Sequence, residues 1–126
     1  MFKGCTSLTS IPSLASVTEV GYSGCSSMFE GCTSLTSVTI PNISDFNSSN
    51  AYYGFSCLFK GCTNLNDVTC LIENYDVNDN SETFEYWLEG VASTGTLKKK
   101  ESTNFTYNND GPNYYFIPDG WTVINV

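Results

Sequence analysis

The chain has 126 residues, 40% of them hydrophobic, and a net charge of −8. That is enough apolar content for one compact domain or a short repeat array, and too much for wholesale disorder. The five basic residues are Lys3, Lys60 and the run Lys98, Lys99, Lys100, with no arginine or histidine, so phosphate backbones and anionic lipid surfaces repel the protein; no nucleic-acid partner is expected, and no apolar run reaches the roughly 18 residues needed for membrane insertion.

Self-similarity dominates the chain. Met1-Phe2-Lys3-Gly4-Cys5-Thr6-Ser7-Leu8-Thr9-Ser10 returns as Met28-Phe29-Glu30-Gly31-Cys32-Thr33-Ser34-Leu35-Thr36-Ser37, with nine of ten positions identical. A third copy begins Leu58-Phe59-Lys60-Gly61-Cys62-Thr63-Asn64-Leu65, and a decayed fourth is read at Thr83-Phe84-Glu85-Tyr86-Trp87-Leu88. With phenylalanine as marker, Phe2, Phe29, Phe59 and Phe84 are spaced by 27, 30 and 25 residues. Units of that length cannot bury their own apolar face and must stack. The copies therefore run near 1–27, 28–57, 58–82 and 83–103, and 104–126 is read as a C-terminal cap.

Each unit has two readable parts. Phe-x-Gly-Cys suits a short helical turn ending at glycine, where a left-handed residue carries no steric penalty. Leu35, Val38 and Ile40 then space apolar residues as a short strand with one buried face, closed by Pro41. The third copy repeats this with Leu65, Val68 and Cys70; the first has Leu8 and Ile11, closed early by Pro12. The expected fold is a leucine-rich-repeat-like repeat solenoid, mainly β, with one short parallel strand per unit, helical turns and a C-terminal β cap. Its predicted buried columns are Phe2/Phe29/Phe59/Phe84, Leu8/Leu35/Leu65 and Cys5/Cys32/Cys62. Lys3, Glu30, Lys60 and Glu85 form a predicted surface column of alternating charge. In the cap, Tyr114 to Ile117 and Trp121, Val123 and Ile124 suit short strands around a tight turn at Pro118-Asp119-Gly120.

Catalytic and metal chemistry finds little support. No two cysteines form a Cys-x-x-Cys pair and no histidine is present to complete a zinc site or activate a thiol or serine. The six cysteines are read as free buried thiols acting as small hydrophobes. Cys25 and Cys57 stand at different offsets from their phenylalanines, four and two residues before. Glu73, Asp76, Asp79 and Glu82 with Asn78 and Asn80 offer oxygen ligands for calcium, but Ser81 and Trp87 stand where a calcium-binding loop needs glycine and glutamate. That stretch is read as a solvated acidic loop. No cofactor and no metal is expected.

The decamer Met-Phe-x-Gly-Cys-Thr-Ser-Leu-Thr-Ser, followed in the first copy by Ile11-Pro12, resembles the BspA-like leucine-rich repeats of bacterial surface proteins, which also occur in gut Bacteroidetes and their phages. Trp87 to Thr96, with Ile117-Pro118-Asp119-Gly120-Trp121-Thr122-Val123, is similar to the closing module of such arrays. The resemblance implies a cell-surface or virion location, an adhesive or structural role and no enzymatic activity. Because the chain opens on the phenylalanine half of a unit, it is expected to be a fragment of a longer surface or phage receptor-binding protein.

The partner expected is a host or bacterial surface protein or a glycan. Candidate contacts are the polar strand residues Ser37 and Thr39 and the aromatics Tyr52, Tyr53, Phe55, Tyr107, Tyr114 and Tyr115, with Tyr22 a further loop tyrosine. Tyrosine supplies large amphipathic contact area at low entropic cost. Two other readings stay open: a structural spacer with no ligand of its own, and a fragment of a carbohydrate-active enzyme, which requires a cleft with converging ionisable groups.

Overall fold

The structure is a computed structural model, and it describes residues 2–43, 52–78, 81–106 and 116–126. Its centre is a sheet of four parallel strands in the order β1 (Ser37–Ile40), β2 (Asp67–Cys70), β3 (Gly95–Lys99) and β4 (Trp121–Asn125). Ser37 pairs with Asp67, Asp67 with Thr96, and Thr96 with Thr122. Alternation sets the faces: Val38, Val68 and Leu97 point inward and are buried, while Ser37, Thr39 and their neighbours point outward. Within the expected C-terminal cap, Trp121–Asn125 forms β4 and pairs with β3 in the same sheet. The first copy contributes no strand, because Pro12 stands where Thr39 does in β1 and has no N–H for a ladder.

A second backbone ladder joins the runs that carry the glycines. The N–H groups of Ser23, Cys25, Ser27, Phe29 and Gly31 donate to the carbonyls of Tyr52, Gly54, Ser56, Leu58 and Lys60 at 2.8–3.0 Å. Phe55, Cys57, Phe59 and Gly61 donate in the same way to Thr83, Glu85, Trp87 and Glu89. The intervening N–H groups fold back three residues, as Met28 does to Cys25 and Glu30 to Ser27. Alternate donors thus serve the neighbouring run and the local turn.

This pattern replaces the expected helical turns. With every second N–H committed to the next run, no i to i−4 ladder can propagate. The chain forms linked turns instead, with positive φ at every fourth residue: Ser23, Ser27 and Gly31, then Tyr53, Cys57 and Gly61. Such a residue belongs at the third position of a type II turn. Among the described residues the one regular helix is the 3-10 turn Ser81–Phe84.

Side chains at the inward positions meet across these runs. Phe2 stacks on Phe29 at 5.4 Å between ring centres, and Phe29 on Phe59 at 5.7 Å. Leu35 and Leu65 are fully buried, as are Cys32 and Cys62. Each of those two thiols donates to a carbonyl of the preceding run, Cys32 to Phe2 and Cys62 to Phe29, both at 3.1 Å. Phe2, Cys5 and Leu8 at the first run are only half-buried, because just one side is covered.

The fourth run corrects the expected register. Phe59 donates to Trp87 and Gly61 to Glu89, as Phe29 does to Leu58 and Gly31 to Lys60. Leu88 and Gly90 are therefore the counterparts of Phe59 and Gly61, and Gly90 has the φ of 74° shared by Gly4, Gly31 and Gly61. Phe84 belongs instead with Phe55, on which it stacks at 5.1 Å. The alternating charges shift with it: Lys3 pairs with Glu30 at 3.4 Å, and Lys60 pairs with Glu89, not Glu85, at 3.5 Å.

Aromatic rings fill the C-terminal half of the core. Phe84 lies edge-on to Trp87 at 4.8 Å, and Phe105 stacks on Trp87 at 5.1 Å. The indole N–H of Trp87 donates to Phe116 O at 2.7 Å, and that of Trp121 to Ala92 O at 2.8 Å. At the predicted Pro118 turn, Trp121 N–H donates to Pro118 O at 3.2 Å and Gly120 has a φ of 85°. Phe116 and Ile117 are in a turn and a bend rather than a strand.

Candidate functional site

Two exposed surfaces carry the residues singled out above. The first is the outer face of the sheet. Ser37 and Thr39 are exposed on β1, and across the ladder follow Asp67 and Thr69, Thr96 and Lys98, then Thr122 and Ile124. This face is short and mostly polar, and across it Lys98 pairs with Asp67 at 3.6 Å. Beside it a groove of about 390 Å³ is lined by residues including Ser10, Pro12, Leu14, Ser37 and Thr39, none of them ionisable. A smaller depression of about 220 Å³ holds Glu89, already paired with Lys60, and Asp119.

The second surface is built by the linked turns. Ser23 donates to Tyr52 O, so the ladder sets Tyr22 beside Tyr52 and Ser23 beside Tyr53. The rings of Tyr22 and Tyr52 are nearly parallel, 6.4 Å apart. Tyr53 stands almost perpendicular to both, 6.0 Å from Tyr22 and 5.6 Å from Tyr52. Tyr22 is 71% exposed and Tyr52 40% exposed, whereas Tyr53 is half-buried. Three rings thus form an open corner at the surface.

Carboxylates sit against that corner. The ladder makes Glu82 the counterpart of Tyr53 and places Glu85 one turn further on. The Tyr52 hydroxyl hydrogen-bonds to Glu82, and the phenol's pKa is pushed up by that bond and by the negative charge. Tyr53 is raised by the charge of Glu82 first, then by burial and by Glu85. Burial, and then the like charge of Glu82, raises the carboxyl of Glu85.

Phe55 requires a correction. Expected among the partner-contacting aromatics, it is instead fully buried against Phe84 and is a core residue. Along the turn runs buried side chains recur three and four residues apart, at Phe55, Leu58 and Phe59 and again at Phe84, Trp87 and Leu88, which carries Phe55 inside, whereas Tyr52 is exposed. Tyr107, Tyr114 and Tyr115 lie outside the described residues. Ser37 and Thr39 stand on the sheet, apart from the turns that bring the tyrosines together. Sequence reasoning missed Glu82 and Glu85 as neighbours of the tyrosines. The usable signal was Leu88-Glu89-Gly90, which aligns with Phe59-Lys60-Gly61 and brings Glu82 under Tyr53.

The cysteines and the acidic loop have structural surroundings. All six thiols are free. Burial raises Cys62 to about 11 and Cys70 to about 12, so both are protonated near neutral pH. Cys25 aligns with Phe55, and Cys57 with Ser27 and Tyr86, so those two cysteines occupy different columns. Asp76 accepts hydrogen bonds from the Asn78 backbone N–H at 2.8 Å, from the Asn78 side chain at 2.9 Å and from the Asn104 side chain at 3.1 Å. These bonds hold its carboxyl below the usual value. Asp79 and Asn80 lie outside the described residues, and among the described residues no three histidine, cysteine, aspartate or glutamate side chains are grouped to hold a metal ion.

Comparison of the chain with protein-family models, with curated proteins and with solved structures found no match in any of the three.

Proposed function

We propose that this chain is a non-enzymatic recognition module, a leucine-rich-repeat-type solenoid of the BspA-like kind, displayed on a cell or virion surface. The single observation that carries the reading is the exposed corner of Tyr22, Tyr52 and Tyr53. Clustered surface tyrosines are more than a core requires, and they are the side chains that recognition surfaces use to gain contact area with little entropy loss. The solenoid part of the reading is supported by two backbone ladders with near-constant spacing: Ser37, Asp67 and Thr96 in the sheet, and Gly31, Gly61 and Gly90 in the turns. The non-enzymatic part rests on the sequence, which has no histidine to activate a thiol or a serine.

The test is a pull-down from intact cells together with a glycan array, comparing the parent chain with Tyr52→Ala and Tyr53→Ala. Loss of the captured protein or glycan at an unchanged melting temperature supports the reading. Capture undiminished in both variants removes the tyrosine corner from recognition. A chain that captures nothing under any condition is the spacer instead.

A further inference from the structure

The shape and charge of the tyrosine corner narrow the class of partner. A flat sugar face stacks best on one broad ring, and here Tyr53 stands at 80° to Tyr22 and 69° to Tyr52. Such a corner suits a compact group that two ring faces can approach at once. The negative face of an aromatic ring attracts a cation within about 6 Å of its centre. Glu82, bonded to Tyr52, and Glu85 add formal negative charge at the same place.

The protein builds a related contact within itself. The Lys60 ammonium lies 5.9 Å from the centre of the Tyr86 ring, with the Glu89 carboxylate 3.5 Å away. Tyr86 is the next residue after Glu85 on the same run, so tyrosine, carboxylate and ammonium already meet one turn along. Three other lysines are engaged elsewhere: Lys3 with Glu30, Lys98 with Asp67, and Lys99 with the carbonyls of Lys100 and Thr103. With a net charge of −8, the whole chain also draws basic partners toward itself and repels acidic ones.

We propose that the corner formed by Tyr22, Tyr52 and Tyr53, edged by Glu82 and Glu85, binds a lysine side chain on an exposed basic segment of a protein partner. This rests on the recognition reading above and specifies its chemistry. The ammonium sits against the rings, its charge is answered by the carboxylates, and the lysine stem covers ring surface that water now contacts. Uncharged glycans and acidic proteins are discriminated against by the same features.

The full chain is titrated calorimetrically with a capped (Gly-Lys)3 peptide, a (Gly-Gln)3 peptide of equal length, and maltohexaose, at low and physiological salt. The lysine peptide binds, and the glutamine peptide and the oligosaccharide bind at least about tenfold more weakly. Tyr22→Ala and Tyr52→Ala each weaken the lysine peptide by about three- to fivefold, the scale of one exposed cation–ring contact. Tyr22→Phe, which keeps the ring, binds as the parent does, and Glu85→Gln weakens binding and flattens its salt dependence. Melting curves of every variant exclude unfolding as the cause. Equal binding of the two peptides overturns the proposal. So does lysine-peptide binding unaffected by Tyr22→Ala and Tyr52→Ala, which is diffuse attraction to an acidic chain, or binding of maltohexaose alone. If the peptides fail while Tyr52→Ala still abolishes cell capture, the lysine assignment falls and the recognition reading stands. If the lysine peptide binds at the corner while cell capture ignores Tyr52→Ala, the recognition reading falls and the lysine site stands.

Discussion

Gly61 and Gly90 lie one above the other with the same φ of 74°, and the Gly61 N–H donates to the carbonyl just before Gly90 at 2.8 Å. A side chain at Gly61 would find only ordinary contacts, 3.8 Å from Gly31, whereas one at Gly95 would stand 2.6 Å from the Asn66 carbonyl and from the Trp121 ring. Gly61→Ala is therefore expected to cost about 1–2 kcal/mol, the strain of a left-handed alanine. Gly95→Ala is expected to cost about 3 kcal/mol or more, because backbone and an indole must both move. Urea midpoints rank the two, and a Gly95→Ala midpoint equal to the parent's contradicts the packing of Trp121 on β3.

Ser27 offers the converse experiment. It holds a φ of 56° without being glycine. Ser27→Gly relieves left-handed strain and loses some of that gain to the greater freedom of the unfolded chain. A net stabilisation of roughly 0.5 kcal/mol is expected, read as a higher urea midpoint at unchanged slope. A lower midpoint contradicts the assigned turn conformation.

The phenylalanine stack has a covered middle and an open end. Phe59 is fully buried with Phe29 on one side, whereas Phe2 is half-buried with a ring on one side only. Phe59→Ala is expected to cost about 3–5 kcal/mol, and Phe2→Ala less than about 2 kcal/mol because part of its surface is already in water. Comparable losses at the two positions in chemical denaturation argue against the stacked order.

Thiol labelling reports the same burial. Cys32, Cys62 and Cys70 are buried, and Cys5, Cys25 and Cys57 are half-buried. Mass spectrometry after a brief native exposure to a maleimide is expected to find label on the second group and protection of the first. All six label promptly in urea. Cys62 or Cys70 reacting at the unfolded rate under native conditions contradicts their burial in a dry interior.

Two carboxyls give opposite pH signatures. Asp76 has its folded pKa lowered by hydrogen bonds, so its stabilisation is present above its unfolded value near 4 and is lost as pH falls through the lower folded pKa. Glu85 has its folded pKa raised by burial and by Glu82, so its contribution is full below its unfolded value and is lost as pH rises through the folded one. Asp76→Asn is expected to flatten the acid limb of the stability profile, and Glu85→Gln to remove the decline just above pH 4. Superimposable profiles for parent and variants overturn both assignments.

The repeated decamer made the phenylalanine, cysteine and leucine columns of the first three runs legible, because nine matching positions leave little freedom in alignment. Phenylalanine as the marker misaligns the fourth run. Leucine replaces it at Leu88, and the invariant element is the glycine, whose positive φ no side chain tolerates as well. Phe55 was misjudged for a related reason. Phe55 stands four residues before Phe59, a spacing at which both face the core, and the Phe-x-Gly-Cys motif begins too late in the run to include it.

Composition, spacing and identity between copies by themselves determined that short strands would lie parallel and that phenylalanine, leucine and cysteine would share a dry interior. These are properties of a repeated apolar pattern, and each copy carries them locally. Only the tertiary structure decided that β4 completes the sheet, that Leu88 rather than Phe84 follows Phe59, and that Glu82 and Glu85 border Tyr52 and Tyr53. Those outcomes depend on which backbone carbonyl each N–H reaches across about 30 residues of chain, and a register between distant segments is settled by the packing of all of them together.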